Sequence, residues 1–194
     1  SLKNVNLYLN TDNGKLAGIA GQNSLTGNIT KCNVSGTIKQ ESNKGMSGGI
    51  ASYSSGNIYN SSNTASIVLN TYDEESAGVG GICGSSGISS IISGCINSGN
   101  ISGENNSYYM YIGGIAGTKD SDSNEIGKIT DCYNSGKISG RAKRLSIGGI
   151  VGYTFMTVEN SYNIGEISGE ATENLYIGKV IGRKYNSSIT INNC

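Results

Sequence analysis

A period of about thirty residues runs through this chain, and self-similarity of that size constrains the fold more than any other feature of the sequence. A Gly-apolar-small-Gly tetrad recurs as Gly18-Ile19-Ala20-Gly21, Gly49-Ile50-Ala51-Ser52, Gly81-Ile82-Cys83-Gly84, Gly114-Ile115-Ala116-Gly117, Gly149-Ile150-Val151-Gly152 and, altered, Lys179-Val180-Ile181-Gly182. Its second residue stands at 19, 50, 82, 115, 150 and 180, in steps of 31, 32, 33, 35 and 30. A second block of the form apolar-x-x-Cys/Ser-x-Asn-x-Gly-x-Ile follows each tetrad, with Cys32 to Ile38, Ser61 to Ile67, Cys95 to Ile101, Cys132 to Ile138 and Ser161 to Ile167. These five intervals are all six residues, whereas the step from tetrad to Cys/Ser runs from 11 (150 to 161) to 17 (115 to 132). Fixed spacing marks packed structure, and variable spacing marks loops.

Strand is favoured over helix inside the fixed blocks. They are short, rich in Ile, Val, Thr and Tyr, and carry glycine at a density that weakens a helix. On a continuous strand Cys132, Asn134, Gly136 and Ile138 would face one way and Tyr133, Ser135 and Lys137 the other. The Asn-x-Gly segment equally suits a bend through left-handed backbone, and the sequence leaves both geometries open.

A single copy leaves its apolar face uncovered, so copies must be laid one on another, each strand paired with its equivalent in the next coil. The expected fold is all-β: a right-handed parallel β-helix, or β-solenoid, of about six coils, the hand following from the chirality of parallel crossovers. Strands about 4.8 Å apart would give a rod of roughly 30 Å. Equivalent residues then form ladders: Ile19, Ile50, Ile82, Ile115, Ile150 and Val180 in one row, and Ile38, Ile67, Ile101, Ile138 and Ile167 in another. We expect one repeat domain over residues 1–194, with residues 1–15 as an N-terminal capping strand and 16–194 as six repeats. Val5, Leu7 and Leu9 alternate in that first segment and suit it to cover the first coil.

Composition narrows the function classes. Thirty glycines, no proline, tryptophan or histidine and one phenylalanine mean that the interior is built from small and aliphatic side chains. Fourteen basic and fourteen acidic residues cancel, which argues against nucleic acid as a partner. No apolar run approaches a membrane span, so direct membrane insertion of this segment is not expected, and Ser1 to Asn10 lacks the pattern of a signal peptide. The lack of histidine removes Ser-His-Asp and Cys-His nucleophile systems and the His-Glu-x-x-His zinc site. No cofactor and no catalytic residue is expected, and acidic residues recur in no pair that would suit a glycosidase.

Candidate sites carry a structural reading beside a functional one. Cys32, Cys95 and Cys132 share a repeat position with Ser61 and Ser161, as a ladder of small buried groups rather than a disulfide or metal site. Asn63, Asn97, Asn134 and Asn163 share another, where stacked amides serve structure before sugar recognition. The longest insertion holds Asp120, Asp122 and Asn124 in alternate positions with Asp131 further on, which echoes a calcium loop. Glu125 stands where such a loop needs glycine, so a solvated loop is the preferred reading. Tyr108, Tyr109 and Tyr111 are the densest aromatic group and the candidate ligand-binding residues, with packing as the alternative. Arg141, Lys143 and Arg144 read as a solvated basic loop.

The tetrads at Gly18 to Gly21, Gly81 to Gly84, Gly114 to Gly117 and Gly149 to Gly152, in register with the second block, resemble the GLUG-motif repeats of bacterial surface adhesins and of proteins carrying IgA-specific metalloendopeptidase domains. The resemblance covers the chain from about Gly18 onward. Ser52 and Lys179 depart from the pattern, and isoleucine stands where the family has leucine. What the resemblance implies is a secreted or cell-surface bacterial module, adhesive or spacer in role, facing a host or bacterial surface protein or glycan. Peptidase activity in such proteins belongs to a separate zinc domain that has no counterpart here. The competing class is a carbohydrate-binding or polysaccharide-cleaving β-helix, which a cleft lined by carboxylates or tyrosines would favour.

Overall fold

The computed structural model describes residues 2–73, 75–87, 89–119, 127–185 and 189–194. It is all-β, a β-solenoid of about six coils in which every strand pairing is parallel. Each coil runs through three sheets.

The first and longest sheet holds the segments Leu2–Ala17, Asn33–Gly48, Ser66–Thr71 with Ala77–Gly80, Ile101–Gly113, Ile138–Gly148 and Ile167–Gly178. The second begins at the tetrads: Ala20–Asn23, Ala51–Ser54, Cys83–Ser86, Ala116–Lys119, Val151–Thr154 and Ile181–Lys184. The third is formed by the apolar residue that precedes each Cys/Ser, in Asn28–Thr30, Asn57–Tyr59, Ile91–Ser93, Lys128–Thr130, Thr157–Glu159 and Ile191–Asn192.

The ladders stand as the repeat dictates. Backbone bonds join Ile19 to Ile50, Ile50 to Ile82, Ile82 to Ile115, Ile115 to Ile150 and Ile150 to Val180, at 2.9–3.2 Å. The second row runs Leu7, Ile38, Ile67, Ile101, Ile138 and Ile167, paired coil to coil. Inner members such as Ile50, Ile82, Ile101, Ile115 and Ile138 have 1% exposure or less, because each is covered by the coil above and the coil below. The residues before the first tetrad are not foreign to this scheme. Leu2–Ala17 pairs along most of its length with Asn33–Gly48, so it occupies the first coil's own place in the long sheet.

Both geometries that the Asn-x-Gly segment allowed contribute. Strand pairing lapses between Tyr133–Asn134 and Ile138, yet Cys132, Asn134, Gly136 and Ile138 remain buried and Lys137 exposed. Gly36 of the first block does take positive φ (117°), but the left-handed corner that recurs in every coil lies elsewhere, at the residue before each Cys/Ser: Lys31, Asn60, Gly94, Asp131, Asn160 and Asn193 have φ of 54°, 49°, 63°, 55°, 45° and 49°. Four of the six are asparagine or glycine, the residues for which that conformation costs least.

Candidate functional site

The repeated polar residues are consumed by stacking. Asn63 Nδ2 donates to Asn97 Oδ1 (2.8 Å), Asn97 to Asn134 (2.7 Å) and Asn134 to Asn163 (2.6 Å), and each amide also donates to the carbonyl two residues on. The three inner members are fully buried, so the expected amide ladder is a core element with no face left for a sugar.

The cysteine/serine column does a second job at the corner. Cys32, Cys95, Cys132 and Cys194 donate their thiols, and Ser61 and Ser161 their hydroxyls, to the carbonyl two residues back. The Ser61 and Ser161 oxygens also accept the backbone N–H of Cys32 and Cys132 in the preceding coil. All five cysteines are free. A hydrogen bond with Cys95 and burial hold the Cys132 thiol well above the usual value, and burial pushes Cys83 up to about 12. Both are therefore protonated near neutrality and poor nucleophiles.

Of the calcium-loop candidates, Asp120, Asp122 and Asn124 lie outside the described residues. Asp131 is a corner residue, its carboxylate accepting from the Thr130 hydroxyl (2.9 Å) and the Asn160 amide (3.2 Å). No group of three or more His, Cys, Asp or Glu side chains suited to a metal occurs among the described residues.

The aromatic candidates are brought together with partners the sequence did not link to them. In the coil-four strand Ile101–Gly113, register with coil five breaks between Asn105 and Tyr109, and the extra residues turn outward. Asn105, fully buried, holds this turn. Its Oδ1 accepts from the N–H groups of Ser107 (3.0 Å) and Tyr108 (2.8 Å), and its Nδ2 donates to the Glu75 carbonyl (3.0 Å). Tyr108 meets Tyr109 edge to face at 4.8 Å. Tyr109 then stacks on Tyr111 at 5.7 Å, and Tyr111 on Tyr153 of coil five at 5.1 Å. Phe155 lies 5.4 Å from Tyr153 and 4.0 Å from Tyr185 of coil six. One strip of rings thus crosses from coil four to coil six.

Two guanidinium groups are set into it. Arg144 lies 5.1 Å from the Tyr109 centroid, donates to the Tyr109 hydroxyl (3.3 Å), and pairs with Glu173 at 2.6 Å. The hydrogen bond from Arg144 holds the Glu173 carboxyl below its usual value, and Lys143 adds a second ion pair to it at 3.3 Å. Two members of the basic group, which lies in the strand Ile138–Gly148 and not in a loop, therefore share the single Glu173 carboxylate of the next coil. Arg183 lies between the rings of Tyr153 (5.5 Å) and Tyr176 (5.1 Å) and makes no ion pair among the described residues.

The three predicted tyrosines do not contribute equally. Tyr111 is 9% exposed and held between Tyr109 and Tyr153, and burial raises its phenol pKa, so it serves as packing. Ring surface open to solvent lies at the C-terminal end of the strip, on Tyr176 (39% exposed) and Tyr185 (58%), which flank Arg183 and Phe155. Sequence reading missed this end because its residues belong to separate sheets and meet only through coil stacking. A shallow hollow of about 330 Å³ lies on the long sheet, where Ser102, Ser139 and Ser168 stack beside Glu104, Arg141 and Glu170. It exists because short serines form one outward column beside a column of longer charged side chains.

Compared with family models, curated proteins and solved structures, the chain finds no match.

Proposed function

We propose that this chain is a non-catalytic repeat module of a bacterial surface or secreted protein, a stiff spacer that displays adhesive side chains. The observation that supports the reading is the division of labour between repeated and unrepeated residues. Isoleucine, asparagine, cysteine/serine and glycine are taken up by coil-to-coil contacts, while the side chains able to recognise a partner form one aromatic and cationic strip on the outside. Resemblance to GLUG-motif repeats favours the extracellular setting and a surface protein or glycan as partner.

The strip gives the adhesive reading a site. Exposed tyrosine rings beside a guanidinium with no carboxylate partner among the described residues suit the apolar face of a sugar ring together with an acidic substituent. Binding should therefore depend on Tyr176, Arg183 and Tyr185, with Tyr108 at the other end contributing less. The test is a screen of the purified chain against surface glycans and against polysaccharide and peptide substrates. Retention of a glycan, weakened at least tenfold by Tyr185→Ala with Arg183→Ala, is expected. Release of cleaved product, abolished by a single carboxylate substitution, would reverse the non-catalytic reading.

A further inference from the structure

Lys179 is where one column of the repeat changes character. The column is Gly18, Gly49, Gly81, Gly114 and Gly149 in coils one to five, and Lys179 in coil six. A Cβ built on each of those five glycines falls closer than 3.0 Å to the carbonyl oxygen of the equivalent residue in the next coil, from Gly18 against Gly49 to Gly149 against Lys179. The same Cβ would also crowd a side chain of its own coil: Val34 at Gly18, and Asn63, Asn97, Asn134 and Asn163 at the other four. Glycine is required here by the backbone that lies above it. The fourth tetrad column behaves differently. Its Cβ positions at Gly84, Gly117, Gly152 and Gly182 point at the preceding coil, and Ser52 is accommodated inside the stack.

Several apolar columns of the solenoid are matched at its two faces. Continuing each column beyond coil six would set Ile167 against Leu7, Ile177 against Leu16, Val180 against Ile19 and Ile191 against Ile29 of a second copy. Leu175, Ile177 and Ile191 are 47%, 48% and 44% exposed, so apolar surface is available to drive such an association. Head-to-tail contacts of this kind do not close, and they grow into filaments.

We infer that Lys179 closes this face: its Cβ occupies the place where the backbone carbonyl of an in-register incoming coil must lie, so a second copy cannot stack head to tail on coil six. The block is steric and resides in Cβ, and the ammonium beyond it adds only solubility. The test compares wild type, Lys179→Gly and Lys179→Ala by light scattering after size exclusion, from micromolar to hundreds of micromolar. Wild type and Lys179→Ala are expected to stay monomeric. Lys179→Gly should show a weight-average mass that at least doubles with concentration and returns to monomer when Ile177→Lys is added. A monomeric Lys179→Gly, a self-associating wild type, or a Lys179→Ala that chains as readily as Lys179→Gly would each overturn the inference.

Discussion

Replacing Asn97 by alanine tests whether the amide ladder is a structural element or an ornament of the repeat. Asn97 is fully buried, donates to Gly99 O (2.9 Å) and Asn134 Oδ1 (2.7 Å), and accepts from Asn63 Nδ2 (2.8 Å). Truncation leaves an N–H of Asn63, the side-chain oxygen of Asn134 and the buried Gly99 carbonyl facing a gap from which water is excluded. At about 1–3 kcal/mol for each buried polar group left without its partner, the three together cost about 3–9 kcal/mol. Asn163, at the open end of the ladder, is only partly buried, and water can replace what it provides. Its alanine variant should lose about 1 kcal/mol or less. Asn97→Asp preserves shape and can accept from Asn63, but it sets a carboxylate against Asn134 Oδ1 and should be at least as damaging as Asn97→Ala. Urea unfolding followed by circular dichroism measures all three. Equal losses for Asn97→Ala and Asn163→Ala, or a loss below about 1 kcal/mol for Asn97→Ala, would refute the ladder's structural role.

Ile115 has 0% exposure in a middle coil, so Ile115→Ala should cost about 2–5 kcal/mol in the same assay, and near-neutral behaviour would show that the row is not packed as described. Burial raises the Cys83 thiol from 9.0 to about 12. A folded value above the unfolded one gives stability that is complete below about pH 9 and lost as pH rises towards 12. The loss is about 4 kcal/mol at roughly 1.4 kcal/mol per unit. Cys83→Ala, which installs the residue that Ala51 and Ala116 supply in the flanking coils, should remove that part of the alkaline destabilisation, and unfolding curves at pH 8 and 11 measure it. Deleting residues 1–17 uncovers the edge of Asn33–Gly48 and should produce aggregation at concentrations where the full chain is monomeric, whereas a folded monomeric deletion would deny the first strand its covering role.

The stack was legible in the sequence because its chemistry repeats. Isoleucines recurring about every thirty residues announce a row, and asparagines two residues after the Cys/Ser and four before the closing isoleucine announce a ladder. What escaped depended on relations that do not repeat. The sequence leaves a left-handed bend open at Asn-x-Gly, where Gly36 takes one, yet the corner that recurs in every coil lies one residue before the Cys/Ser; Asn60, Gly94, Asn160 and Asn193 carry that signal, and Lys31 and Asp131 blur it. Gln40 is fully buried in one coil only, donating to Gly14 O (2.8 Å) and accepting from Ser47 (2.8 Å), and no period marks it. Tyr108, Tyr109 and Tyr111 stood out as a cluster, but their partners Tyr153, Phe155 and Tyr185 are 40 or more residues away from Tyr111 and meet them only because coils stack. Local density in sequence thus found one end of the strip and missed the more exposed one.

The central claim is that equivalent residues lie above one another, coil by coil and in register. Asn10, Glu41, Asn70, Glu104, Arg141 and Glu170 form one outward column, each paired with the next. Spin labels placed two at a time in a cysteine-free variant at Glu41 and Glu170, and at Asn10 and Glu170, report four and five coil steps by pulsed electron resonance. Narrow distributions centred near 19 and 24 Å, one strand spacing of about 4.8 Å apart, are the predicted result. Broad distributions, or a separation that does not grow by one strand spacing when one coil is added, would contradict the stacked solenoid.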